Sequence, residues 1–178
     1  SEDVVNQISA DKIIIATGAR PKGLPGMEPD GNRVITSKEA MVQKEQPKSL
    51  IIIGAGAIGI EFAHFYNTYG TKVTVIEAFP TILPVEDEDV SKELQNIFKK
   101  RKMNILTNTC VEKIERFKTK VKVHKKDGQI IEADKALIAV GVQGNTEDIG
   151  LEEVGVTLDK GWIITNEFMQ TNIHGIYA

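Results

Sequence analysis

The chain has 178 residues, 41% of them hydrophobic, and a formal net charge of -3. That length suits one ordinary domain, or one domain with part of another. The charge gives no global attraction to nucleic acid or to an acidic membrane surface, and no stretch approaches the roughly 18–20 apolar residues that span a bilayer. The single cysteine, Cys110, excludes an intrachain disulfide and a cysteine-rich zinc site. The composition fits a reducing, cytoplasmic compartment. The charged start leads straight into a strand-like run and does not read as a signal peptide. Apolar segments lie close to both ends, so the chain is expected to be a piece of a longer protein.

In chain order, Ile13 to Ala16 reads as a short buried strand ending at Thr17-Gly18. Pro21, Gly23, Pro25, Gly26, Pro29 and Gly31 then punctuate a run of turns, the best linker in the sequence. Ser37 to Gln43 reads as a short helix capped by Ser37. Leu50 to Ile53 is a continuous apolar strand of the kind found inside parallel sheets. Ile58, Phe62, Phe65, Tyr66 and Tyr69 follow at helical spacing, with Gly70 placed to end the helix. Val73 to Ile76 is a second strand. Val90, Leu94, Ile97 and Phe98 mark a second long helix. It opens on four acidic residues, 86–89, and closes on four basic ones, 99–102, which complements the helix dipole at both ends. Ile105-Leu106 gives a third strand.

Three short strands come next: Val111 to Phe117, Val121 to His124 and Ile130 to Ala133. Lys126-Asp127-Gly128-Gln129 is a hairpin turn between the last two. Leu137 to Val140 reads as a returning buried strand that ends at Gly141. The order predicts an α/β fold: a Rossmann-like, mainly parallel sheet with helices on both faces and a three-stranded antiparallel excursion. Residues 151–178 have short strands and turns, clearest at Trp162-Ile163-Ile164.

The strongest chemical signal is Gly54-Ala55-Gly56-Ala57-Ile58-Gly59. It follows a predicted strand and opens a predicted helix. An acidic residue, Glu77, ends the next strand 18 residues after Gly59. This is the context a dinucleotide-binding fingerprint requires. Gly54 would allow the tight turn, Gly56 the approach of a pyrophosphate, and Gly59 close packing of helix on strand. The helix N-terminus offers unpaired N–H groups to phosphate. Glu77 can accept hydrogen bonds from the adenosine ribose, and its charge would repel a 2′-phosphate. Residues 78–81 supply no Arg or Lys to compensate, so NAD is favoured over NADP. Glu61, one turn into the helix, stands between a contact to the nicotinamide ribose and a plain surface role. Ala16-Thr17-Gly18 and Ala139-Val140-Gly141 are alike, and read as two passages of the chain near a nucleotide.

His64, His124 and His174 share no metal-like spacing, and Cys110 reads as a small buried hydrophobe. No hydrolase or metalloprotease motif is present. No catalytic residue and no metal ligand is expected, only the holding of a nucleotide.

Several of these stretches resemble the FAD-dependent pyridine nucleotide-disulfide oxidoreductases. Ile13 to Pro21, followed by Leu24-Pro25-Gly26, is similar to the segment where that family leaves its FAD domain. Gly54 to Phe62, with its added Glu61, is similar to the family's NAD fingerprint. Leu151 to Gly155 and Thr171 to Ala178 look like the return toward the FAD domain. Within the family the likeness is to the dihydrolipoamide dehydrogenases, through Ile58-Gly59-Ile60-Glu61, Glu77 and Asn108-Thr109-Cys110-Val111. The resemblance implies that Gly54, Ala55, Gly56, Ala57, Ile58, Gly59, Ile60, Glu61, Glu77, Val111 and Gly141 contact NAD. It implies that Thr17, Gly18 and Ala19 lie against FAD in the intact protein. It also implies an end of the FAD domain over 1–19, a linker over 20–36, an NAD-binding domain over 37–142, and a return segment over 143–178.

The intact protein would be a homodimer acting on lipoyl domains of 2-oxoacid dehydrogenase complexes. There are departures. Gly141-Val142-Gln143-Gly144-Asn145 lacks the Arg and Pro common in the family after that strand. The redox cysteine pair and the His-Glu pair used for proton transfer are absent, so this stretch alone should not catalyse the reaction. Two alternatives stay open. One is another two-dinucleotide flavoprotein reductase or NADH oxidase. The other is a non-catalytic NAD-sensing module.

Overall fold

A computed structural model describes residues 6–178; the first five residues, the charged start, lie outside the described residues. The chain divides into two compact units, Pro21–Val142 and Ser1–Arg20 with Gln143–Ala178. It begins with β1 (Ile13–Ile14) and β2 (Ala19–Pro21). The larger unit then runs β3 (Val34–Ile35), α1 (Ser37–Met41), β4 (Ser49–Ile53), α2 (Ala57–Thr68), β5 (Lys72–Ile76), α3 (Glu88–Lys100) and β6 (Asn104–Leu106). It continues through β7 (Val111–Arg116), β8 (Val121–Lys125), β9 (Ile130–Ala133) and β10 (Lys135–Ile138). The last elements are β11 (Val142–Gly144), α4 (Leu151–Val154), β12 (Leu158–Asp159), β13 (Trp162–Ile163) and β14 (Ile176–Tyr177).

The larger unit is built on a five-stranded sheet in the order β3-β10-β4-β5-β6, every pair of which is parallel. The expected α/β class, with a mainly parallel sheet and an antiparallel excursion, is the one found. The strands alternate strictly between two cores. Leu50, Ile52, Val73, Val75 and Leu137 point to one face, where they meet Ala40 of α1, Ile60, Ala63 and Tyr66 of α2, and Phe98 of α3. Ile51, Ile53, Ile76, Ala136 and Ile138 point to the other and meet Ile114, Val121, Val123 and Ala133 of the three-stranded sheet β7-β8-β9. The three helices thus share one face, and the antiparallel sheet covers the second face where a further helix layer was expected. An apolar sheet face needs an apolar cover of either kind.

Other details differ from expectation. The Pro/Gly-rich segment carries a strand, β3, whose Val34 and Ile35 are both fully buried. It is the edge of the sheet, paired with Ala136 and Leu137. Helix α1 is capped by Thr36, not Ser37. The Thr36 hydroxyl accepts from Lys38 N–H, and Glu39 reaches back to the Thr36 N–H in a capping box. The hydrogen bond from the Thr36 hydroxyl, at 2.6 Å, is the largest cause that holds the Glu39 carboxyl below its usual pKa. Helix α2 buries Gly59, Ile60, Ala63 and Tyr66, and leaves Phe65 and Tyr69 exposed. Its C-cap is Tyr69, and Gly70 follows with φ +91°. Helix α3 is capped by Asp87, with Val90 exposed rather than buried. The returning strand β10 lies two residues earlier than expected.

In the smaller unit, β1 pairs with β14 in parallel and β12 with β13 in antiparallel fashion. Strand β1 is two residues long and exposed, against the expectation of a buried strand over Ile13 to Ala16. Among the described residues of this unit, only Leu151 and Val156 are buried apolar side chains, so the unit has little apolar core to bury Ile13 and Ile14.

Candidate dinucleotide-binding site

The C-terminal ends of β4, β5 and β10 converge on the glycine turn between β4 and α2. Gly54 leaves β4 with φ +101°, a conformation that side chains rarely adopt. A Cβ on Gly54 would stand 2.4 Å from the Ala139 carbonyl oxygen, and one on Gly59 would stand 2.0 Å from the Gly54 carbonyl oxygen. Neither position can hold a side chain without moving backbone. Gly56 differs. It is the N-cap of α2, with φ -71°, and a Cβ there would meet nothing within 4 Å. The fold therefore demands glycine at 54 and 59, while at 56 it leaves empty space.

That space opens into a cavity of about 560 Å³ within the larger unit, inside the usual size range of ligand pockets. Gly54, Gly56, Ala57, Ile58, Glu77, Val111 and Gly141 line it. Ala55, Gly59 and Ile60 are buried behind the turn. Glu61 is exposed on α2 and is not part of the wall. Thr17, Gly18 and Ala19 belong to the smaller unit. There the Thr17 hydroxyl donates to the Asn145 carbonyl at 2.7 Å, and Asn145 Nδ2 donates to the Thr17 carbonyl at 3.0 Å. Gln143 and Asn145, in the loop that departs from the family pattern, lie in this unit as well.

Helix α2 starts at the cavity, and no side chain caps its first turn. The first N–H groups of a helix have no partner within it and carry partial positive charge. An anion is the natural partner for them. Glu77 stands beside them, buried, with one oxygen accepting from the Ala55 N–H at 2.6 Å and the other from the Phe79 N–H at 2.9 Å. The carboxylate thus clasps the glycine turn as well as facing the cavity. Each oxygen keeps a further lone pair for a ligand hydroxyl.

Reasoning from the sequence missed several wall residues. Leu24, Phe79, Pro84 and Thr109 add apolar and small residues, and Lys126 adds a charged one, while Ala139 and Val140 line the cavity beside Gly141 as their likeness to residues 16–18 suggests. Cys110 was expected to be buried; it is exposed and lies in the wall. It sits between β6 and β7, where its carbonyl accepts from Lys126 N–H at 2.9 Å. The local sequence carries no signal for that cross-strand contact. Of the histidines, His64 Nδ1 stands 2.8 Å from an Arg101 guanidinium nitrogen, away from the cavity.

The whole chain, residues 1–178, matches the family described as pyridine nucleotide-disulphide oxidoreductase. The chain belongs to that family. It is 47% identical to a dihydrolipoyl dehydrogenase of Rhizobium etli over 174 residues, which is 96% of this chain and 36% of the relative. It is 43% identical to one of Bacillus subtilis, over 94% of this chain and 36% of the relative. Among solved structures, LpdA from Mycobacterium tuberculosis superposes with a TM-score of 0.87 at 34% identity, covering 94% of this chain and 37% of that one. The HOCl-induced flavoprotein disulfide reductase RclA of Escherichia coli superposes with a TM-score of 0.85 at 32% identity, covering 96% and 39%. The chain thus spans a little over a third of the length of the relatives it matches. Membership in the pyridine nucleotide-disulphide oxidoreductases implies FAD and NAD(H) as cofactors. The NAD half of that pair fits the residues present: an open glycine at a helix start, an uncapped first turn, and a buried carboxylate one strand away.

Proposed function

We propose that residues 37–142 are the NAD-binding domain of a dihydrolipoyl dehydrogenase. The observation that carries this reading is Gly56, where a Cβ would meet only empty space at the mouth of a cavity walled by Glu77, Val111 and Gly141. The fold has no use for glycine there, and a pyrophosphate does. The turn and the first N–H groups of α2 hold the two phosphates. Glu77 accepts from the adenosine ribose hydroxyls, Val111 packs on the adenine, and Gly141 leaves room for the nicotinamide half. Glu61 lies one turn further along α2 and orients the nicotinamide ribose. Thr17, Gly18 and Ala19 border FAD, with 20–36 as the passage between the domains and 143–178 as the return.

In the whole protein FAD supplies the electron relay between a disulfide and the nicotinamide, while the residues here bind and orient. The overall reaction is oxidation of protein-bound dihydrolipoamide with reduction of NAD. The partners are lipoyl domains of 2-oxoacid dehydrogenase complexes, the enzyme is a homodimer, and its setting is cytoplasmic. These 178 residues contain one cysteine, so they have no disulfide of their own and are inactive alone.

The test is to express the full-length protein, look for the flavin absorbance spectrum, and follow NAD reduction with dihydrolipoamide. Tight FAD and robust turnover are expected. A second reading rests on the superposition with RclA and with a NAD-dependent persulfide reductase of A. fulgidus at a TM-score of 0.81. Bound FAD and NADH oxidation without dihydrolipoamide turnover would favour it, and a protein with no flavin would remove both.

A further inference from the structure

Two of the residues that line the cavity are charged, Glu77 and Lys126. Lys126 lies in the β8–β9 turn, and two hydrogen bonds fix its place. Its N–H donates to the Cys110 carbonyl at 2.9 Å, and the Thr109 N–H, one residue before, donates to the Glu77 carbonyl at 2.9 Å. Lys126 and Glu77 therefore flank the same strip of backbone, at the adenosine end that Glu77 marks. The neighbouring Lys125 has a different fate. It is buried, and its ammonium is held by Asp127 at 3.1 Å and Gln129 at 2.8 Å. Lys126 is exposed, and among the described residues its ammonium has no ion-pair partner.

An unpaired lysine in the wall of a cavity suited to an anionic ligand has a ready use. We infer that Lys126 is the specificity-determining cation of the adenosine end, and that it attracts a phosphate on the adenosine 2′-hydroxyl. Preference for NAD over its 2′-phosphorylated counterpart is then the balance between repulsion by Glu77 and attraction by Lys126. The residues that directly follow Glu77 contain no cation to do this; the hairpin delivers one from 49 positions downstream of Glu77. The inference rests on the proposed NAD site.

The experiment uses the full-length protein and two half-ligands, 5′-AMP and adenosine 2′,5′-bisphosphate, titrated by calorimetry at two salt concentrations. A charge-assisted hydrogen bond corresponds to about tenfold in affinity. Lys126→Ala should therefore raise the ratio of the bisphosphate Kd to the 5′-AMP Kd by about tenfold. Lys126→Glu should raise it further, and Lys126→Arg should restore it. Added salt should shrink the difference. Lys126 is exposed, so these variants should fold as wild type. Equal loss of both ligands would show that Lys126 reads the 5′-phosphate, and would overturn the inference, as would an unchanged ratio. Failure of the wild type to bind 5′-AMP or NADH at all would instead remove the underlying site.

Discussion

The two units of this chain are held together by different physics. In Pro21–Val142 a parallel sheet is buried on both faces, with Leu50, Ile51, Ile52, Val73, Val75 and Leu137 nearly or wholly inaccessible. Burial of that kind contributes about 1.5–3 kcal/mol per large side chain. The other unit buries Leu151 and Val156 and leaves Trp162, Ile164, Phe168 and Met169 exposed. Its order comes from polar contacts: the Thr17–Asn145 pair and the Arg20–Glu147 ion pair between distant parts of the sequence, and a local turn in which the Asn166 side chain accepts from Phe168 and Gln170 N–H groups. Such contacts specify a path for the chain but contribute little net stability. A site that must place a turn to within a few tenths of an ångström belongs on the first kind of scaffold, and the glycine turn is there.

The largest effect should come from a side chain at Gly59. Its Cβ would press on the Gly54 carbonyl, which itself cannot retreat because Gly54 abuts Ala139. Gly59→Val should cost about 3 kcal/mol or more, at or beyond the top of the usual overpacking range. Urea unfolding of the full-length protein, followed by circular dichroism, would measure it. A loss under about 1 kcal/mol would mean that α2 can slide on β4, and that the scaffold is softer than its burial implies.

Gly56→Val should separate binding from stability. The backbone there is extended and the space is empty, so the fold should lose only a few tenths to about 1 kcal/mol, the scale of a poorer N-cap. NADH affinity should fall below detection by calorimetry, because the branched side chain would occupy the volume a pyrophosphate needs. Near-normal NADH affinity would take the glycine turn out of the binding argument.

These two glycines also show what the sequence could convey. The spacing of 54, 56 and 59 with Glu77 is a local pattern, and β4, α2 and β5 lie within a residue or two of where it put them. Where a feature depended on distant partners, local pattern failed. Strand β3 is two residues long and is a strand only because Ala136 and Leu137 arrive beside it. The apolar spacing of α2 picks out its buried face only in part: Ile58, Phe62 and Tyr66 reach the core, but Ile58, Ile60, Phe62, Phe65, Tyr66 and Tyr69 ring much of the helix, so spacing alone does not separate inside from outside. Packing selected the small Gly59 and Ala63, which allow close approach to the sheet, and left Phe65 and Tyr69 outside. Cys110 and Lys126 reach the cavity through a hydrogen bond between two segments 16 residues apart. No composition or periodicity reports such a contact.

Glu77→Ala should have an intermediate and double effect. It removes the acceptor for the Ala55 and Phe79 N–H groups and leaves a small void. Stability and NADH affinity should each fall by about 1–3 kcal/mol, the scale for hydrogen bonds to a charged group. Preference for NAD over NADP should narrow. Glu77→Gln keeps one acceptor oxygen but no charge, so it should recover part of the stability while the preference stays narrowed. Equal preference in all three proteins would show that Glu77 serves the turn alone.

The smallest effect belongs to the other unit. Arg20 clasps Glu147 with two hydrogen bonds, at 2.6 and 2.9 Å, and the bond to the guanidinium is the main reason that the Glu147 carboxyl falls from 4.5 to about 2. A carboxyl whose pKa is depressed by folding stabilises the native state above its unfolded pKa, and loses that contribution as pH falls through the folded value. The window is therefore pH 4.5 down to about 2. Both side chains are nearly half exposed, at 40% and 48%, so solvent and salt screen the pair. Glu147→Gln should lower the thermal midpoint slightly at pH 6 in low salt. That difference should vanish near pH 2 and shrink in high salt. A Glu147→Gln protein that matched wild type at pH 6 in low salt would show that this unit draws nothing from its strongest ion pair, and the contrast with the buried sheet would be sharper still.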